Sequence, residues 1–199
     1  GPGGRPSTLD DFRAADEARK LTQNLAPVVA SSGAAQSTEK SSQPSKGPKD
    51  PHMGCDAGEP MACLLLGMLY ERGSGGAADP EQAVETYEKA CQGGQMLACY
   101  NLGVLTEKGV GVEEDVTAAR LLYARSCDGG EARGCSNLGY LYEHGLGGEE
   151  DLKAAATNFR RACDGGAMIG CNNLAQLHLT GAGMEQDCAA AAELFTRAC

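Results

Sequence analysis

Two cysteines with seven residues between them make up the segment this sequence repeats. Cys91-Gln-Gly-Gly-Gln-Met-Leu-Ala-Cys99 returns as Cys127-Asp-Gly-Gly-Glu-Ala-Arg-Gly-Cys135 and as Cys163-Asp-Gly-Gly-Ala-Met-Ile-Gly-Cys171, and Cys55 to Cys63 is a looser copy. Cys55, Cys91, Cys127, Cys163 and Cys199 fall 36 residues apart, as do Cys63, Cys99, Cys135 and Cys171. Of the 10 cysteines only Cys188 escapes this period. Thiols in such numbers could ligate metal, pack as small apolar groups or form disulfides. No Cys-x-x-Cys or His-x-x-x-His pattern suggests zinc. Buried thiols would not need both partners to recur in lockstep on either side of a turn. Disulfides in an oxidising compartment are the expected chemistry.

No catalytic constellation accompanies them. His52, His144 and His178 are the only histidines. His178 replaces Tyr70 and Tyr142 of earlier copies, which reads as a packed ring, and His144 shares a solvated column with Arg72, Lys108 and Thr180. Ser37-Thr38-Glu39-Lys40 has the Ser-x-x-Lys pattern of penicillin-recognising enzymes but lies in a stretch with no helix to hold it. Gly-rich turns such as Gly73-Ser74-Gly75-Gly76 precede no Lys-Ser or Lys-Thr, so they are not phosphate loops.

A fixed period of this size is the mark of stacked structural repeats. Each unit reads as two helices. In the second unit, helix A spans about Gln95 to Lys108 with Leu97, Leu102 and Leu105 apolar, and Gly109 ends it. The loop Val110 to Glu114 leads to helix B, about Asp115 to Cys127, with Val116, Ala119, Leu122 and Tyr123 on one face. Columns run through all units: Leu66, Leu102, Leu138 and Leu174; Ala83, Ala119, Ala155 and Ala191; Tyr87, Tyr123, Phe159 and Phe195. Gly67, Gly103, Gly139 and Ala175 form another in mid-helix, where glycine costs about 1 kcal/mol relative to alanine. That cost implies a close approach by helix B.

The first cysteine of each segment ends helix B, and the second lies one turn into the next helix A. A tight Gly-Gly turn folds these antiparallel and sets the side chains opposite one another. The expected pairs are Cys55–Cys63, Cys91–Cys99, Cys127–Cys135 and Cys163–Cys171. Each would fix the angle between successive units. Cys188 and Cys199 are left over, roughly 16 Å apart along one helix, too far for a bond within it. Either could pair between chains or with a further repeat.

Before the array the character changes. Residues 1–53 carry seven Lys/Arg and six Asp/Glu, whereas 54–199 carry ten and twenty-one, a net charge of −11. So acidic an array is a poor nucleic-acid binder. No apolar run approaches the roughly 20 residues needed to cross a bilayer, and no signal peptide is visible. Within residues 1–29, Ser7 or Thr8 caps a short amphipathic helix over about 8–26, with Leu9, Phe12, Leu21 and Leu25 as its apolar stripe. Residues 30–53 are rich in Ser, Gly, Gln, Lys and Pro, a flexible linker. Gly1-Pro2 and His52-Met53 look like engineered junctions, making residues 3–51 a segment joined to the array, or else this is a natural extension.

The motifs Leu138-Gly139-Tyr140-Leu141-Tyr142-Glu143-His144-Gly145 and Asp79-x-x-x-Ala83-x-x-x-Tyr87-x-x-Ala90-Cys91-x-Gly93-Gly94 resemble the Sel1-like repeat. The paired cysteines are similar to the Helicobacter cysteine-rich protein branch. The resemblance covers about residues 54–199 in four units. It implies an all-α solenoid akin to tetratricopeptide arrays, an adaptor or scaffold gripping peptides on a concave side lined by helix A. Some members of that branch bind penicillin with weak β-lactamase activity, but the motif carries no catalytic residue over.

On that face Asn101, Asn137 and Asn173 recur, with Leu65 in the first unit's place. An amide offers both donor and acceptor, so the column would hold a peptide backbone; the alternative is that each fixes a neighbouring helix. Tyr100, Val104, Ser136, Tyr140, Asn172 and Gln176 vary around it, where specificity would lie. The expectation is a non-enzymatic peptide-binding scaffold without cofactors, periplasmic or secreted, with the mitochondrial intermembrane space as the eukaryotic counterpart. The tethered residues 8–26, in cis or from a neighbouring copy, are a candidate ligand. A weak β-lactamase and a purely structural envelope protein are the other readings.

Overall fold

The computed structural model describes residues 50–74 and 76–198. The amphipathic helix expected over 8–26, with Leu9, Phe12, Leu21 and Leu25, lies outside them. So do most of the linker, Ser37–Lys40 and Cys199. Among the described residues there are nine helices and no strand. A short α1 (Pro51–Asp56) leads into four pairs: α2 (Pro60–Arg72) with α3 (Pro80–Gln92), α4 (Met96–Lys108) with α5 (Val116–Asp128), α6 (Ala132–Glu143) with α7 (Leu152–Asp164), and α8 (Met168–Thr180) with α9 (Cys188–Arg197). The even-numbered members are A helices, the odd-numbered B helices. Each packs against its neighbours in sequence, and contacts at one remove join α6 to α8 and α5 to α7. That is a one-dimensional stack.

Composition placed residues 51–53 in the linker, but they are helical. The Asp50 side chain accepts from the His52 backbone N–H at 2.9 Å and caps α1. Every B helix after it starts the same way: Asp79, Asp115, Asp151 and Asp187 each cap with a side-chain carboxylate. A negative group there satisfies orphan N–H groups and meets the positive end of the helix dipole. The A helices start instead from the preceding turn, in which the Gln95, Glu131 and Ala167 N–H groups donate to Ala90, Ser126 and Ala162 carbonyls. Gly94, Gly130 and Gly166 sit in these turns at φ of 90°, 90° and 87°, a region that disfavours any side chain.

The four disulfides join Cys55–Cys63, Cys91–Cys99, Cys127–Cys135 and Cys163–Cys171, with Cα atoms 4.5–4.7 Å apart. All eight cysteines are buried. Cys188 is exposed and free.

The core is continuous across unit boundaries. One cluster joins Ala119 and Tyr123 of α5, the Cys127–Cys135 bond, Leu138 and Leu141 of α6, and Ala162 of α7. The glycine column makes this closeness possible. A Cβ on Gly67, Gly103 or Gly139 would stand 2.6–2.7 Å from the ring of Tyr87, Tyr123 or Phe159, and all three rings are fully buried. In the last unit Ala175 takes the glycine's place, and Phe195 opposite is only partly buried.

Candidate functional site: the asparagine ladder of the A helices

A tyrosine hydroxyl joins successive units. Tyr87 of α3 donates to Glu71 at the end of α2 at 2.6 Å, and the Asn101 side chain of α4 approaches the same hydroxyl. One unit on, Tyr123 donates to Glu107 at 2.5 Å and Asn137 of α6 approaches it. Burial, then the carboxylate bond, push both phenols well above their ordinary range, and the asparagines pull the other way. A buried hydroxyl left alone would cost about 1–3 kcal/mol, so these contacts satisfy it. Asn101 and Asn137 therefore have scaffold partners that their spacing alone did not reveal.

The third rung differs. Phe159 stands where Tyr87 and Tyr123 stand and has no hydroxyl. Asn173 has no hydrogen-bond partner among the described residues. Glu143, in place of Glu71 and Glu107, is left with only the His144 ring at 3.9 Å. Asn173 is half-buried.

The variable positions divide in the same way. Tyr100 and Val104 pack, partly buried, against the cluster that joins their own unit to the next. The Tyr100 ring lies 6.1 Å from that of Tyr123 and beneath the Arg133 guanidinium at 5.1 Å, itself held 2.8 Å from Glu131. Ser136 is buried with its hydroxyl unpaired. Tyr140 is 45% exposed and stacks on the His144 ring at 4.1 Å. Asn172 and Gln176 are exposed. Sequence reasoning grouped Tyr100, Asn101, Val104, Asn137, Tyr140, Asn172, Asn173 and Gln176 as one surface. Tyr140, Asn172 and Gln176 are exposed on α6 and α8, whereas Tyr100, Asn101, Val104, Asn137 and Asn173 are partly buried.

The described residues contain no group of three His, Cys, Asp or Glu arranged to hold a metal. No helix among them is long and apolar enough to cross a membrane.

The Sel1 repeat family model matches residues 60–95, 97–131, 132–166 and 169–199. Three solved structures are similar. One is a protective antigen of uropathogenic Escherichia coli with an SLR fold, 28% identical, TM-score 0.72, matched over 74% of this chain and 32% of that one. Another is a Sel1 repeat protein from Oxalobacter formigenes, 24% identical, TM-score 0.70, over 74% and 59%. The third is Helicobacter pylori cysteine rich protein B, 27% identical, TM-score 0.52, over 63% and 96%. The chain thus spans less than two thirds of the first two. No curated protein sequence matches it.

Proposed function

The chain belongs to the Sel1 repeat family, and from that premise we propose that it is a non-enzymatic scaffold that binds a protein or peptide along its A helices. The repeats suit this role because successive units present equivalent positions at a constant spacing while the surface residues differ. The observation that carries the reading is the open third rung. Asn101 and Asn137 meet tyrosine hydroxyls, whereas Asn173 has no such partner, and Tyr140, Asn172 and Gln176 are exposed on α6 and α8. An amide holds a peptide backbone through both its groups, and a half-exposed tyrosine is a favoured anchor.

Four buried disulfides and the likeness to a Helicobacter cysteine-rich protein support an extracytoplasmic location. As the ligand we propose the chain's own residues 8–26, bound in cis or from a neighbouring copy. Residues 30–49 would span on the order of 25 Å as flexible chain.

Hydrogen exchange on the full chain tests this, comparing wild type with a Phe12→Ala, Leu21→Ala double variant. Faster exchange in α6 and α8 of the variant is expected. Unchanged exchange there would remove residues 8–26 as the ligand. Loss of a partner captured by wild type but not by Tyr140→Ala, Asn173→Ala would still support the scaffold reading.

A further inference from the structure

A second polar site lies between the B helices of the last two units. A cavity of about 250 Å³ opens between α7 and α9, with Leu174 and His178 of α8 and Leu194 of α9 among its lining residues. The preceding groove of the stack lies between α5 and α7. There Tyr142 holds the place of His178, and the Arg120 guanidinium lies 3.9 Å over its ring. In the last groove the position of Arg120 belongs to Ala156, which is too short to reach across. Both positions therefore carry smaller side chains in the last groove than in the preceding one.

The groups around it are not neutralised by one another. Arg197 is engaged, donating to Asp164 at 3.3 Å and to the Cys163 carbonyl at 3.4 Å. Arg160 and Glu193 also line the cavity, and neither has an ion pair or hydrogen bond among the described residues. The Nδ1 of His178 is buried with no partner. Such an atom loses its hydration without replacement, at a cost of about 1–3 kcal/mol.

From these features we infer that the groove binds a small zwitterion, an amino acid with an apolar side chain. Arg160 presents a planar fork suited to a carboxylate. Glu193 accepts from an ammonium, Leu174 and Leu194 receive the side chain, and the His178 ring forms part of the wall. The volume falls below the roughly 300–1,000 Å³ of drug-sized sites, which fits a ligand of this size. The site stands apart from the asparagine ladder and does not depend on it.

The test is a titration of the full chain with leucine, leucinamide and N-acetyl-leucine, followed by the His178 ring resonances and by calorimetry. Leucine is expected to bind saturably and to shift the His178 signals. Leucinamide lacks the carboxylate and N-acetyl-leucine the ammonium, so each should bind at least about tenfold more weakly, the effect of one lost charged hydrogen bond. Arg160→Ala, at an exposed position, should weaken leucine binding by a similar factor. Ala156→Arg with His178→Tyr places the Arg120–Tyr142 pair of the preceding groove in the last one and should abolish binding while the helical circular dichroism is retained. The proposal is overturned if leucine produces no saturable shift, if either analogue binds as tightly as leucine, or if Arg160→Ala leaves the affinity unchanged.

Discussion

The guanidinium of Arg161 donates to the carbonyl oxygen of Cys127, 2.9 Å away, and so ties the end of one B helix to the body of the next. Arg125 reaches Cys91 and Arg197 reaches Cys163 in the same way, at 3.2 and 3.4 Å. In each case the acceptor is a carbonyl in the last turn of a helix, where the dipole favours a cation. Arg161 also meets Asp128 at 3.1 Å, but both side chains are well exposed and that pair adds little. Arg161→Ala should therefore lower stability by about 1 kcal/mol, read as a shift in urea midpoint. Most of the loss should persist at high salt, since the carbonyl contact is less screened than the surface pair.

The tyrosine rungs give a reciprocal pair of substitutions. Tyr123→Phe removes the hydroxyl shared by Glu107 and Asn137 and should cost about 1–2 kcal/mol. Phe159→Tyr places a hydroxyl between Glu143 and Asn173 and should leave stability equal or raised. It should also weaken whatever binds the Asn173 amide. Urea denaturation of both variants checks the first statement, and partner capture the second.

Each disulfide closes a loop of eight residues' separation. On the chain-entropy account that constrains the unfolded chain by about 2.5 kcal/mol. Cys91→Ala with Cys99→Ala should lose close to that amount. The loss should be local, with hydrogen exchange accelerated most in α3 and α4 and least in α8 and α9, because contacts in a stack reach only to neighbours.

Alkaline pH should unfold the array through Tyr87 and Tyr123. Burial and the bonds to Glu71 and Glu107 hold both phenols above their ordinary 10.0 in the folded chain. Between that value and the raised one the native state keeps protons that the unfolded chain releases. Their contribution is complete below about pH 10 and is lost as pH rises further, by about 1.4 kcal/mol per pH unit for each group. Urea midpoints from pH 9 to 11 should fall steeply in wild type and less so in Tyr123→Phe.

Helix limits were legible within about a residue. Helix A, expected from Gln95 to Lys108, begins at Met96, and helix B, expected from Asp115, begins at Val116 with Asp115 as its cap. These limits are local matters of capping and apolar period. The glycine column was legible too, because a repeated glycine in mid-helix demands a packing reason, and the buried rings of Tyr87, Tyr123 and Phe159 supply it. The partners of the asparagines were not legible. Asn101 meets a hydroxyl 14 residues earlier, on another unit, and nothing in its own helix points there.

What the sequence determined by itself is the covalent and local order. The antiparallel Gly-Gly turn and the facing cysteines settle the four bonds, because both act over fewer than ten residues, and the 36-residue period repeats them along the chain. Tertiary structure decided which polar groups are spent and which remain free. Whether a side chain is engaged depends on the angle between successive units, which brings Tyr87 to Asn101, Arg161 to Cys127 and Arg120 over Tyr142. The same angle leaves Asn173 and His178 unengaged, because Phe159 and Ala156 lack the atoms to reach them.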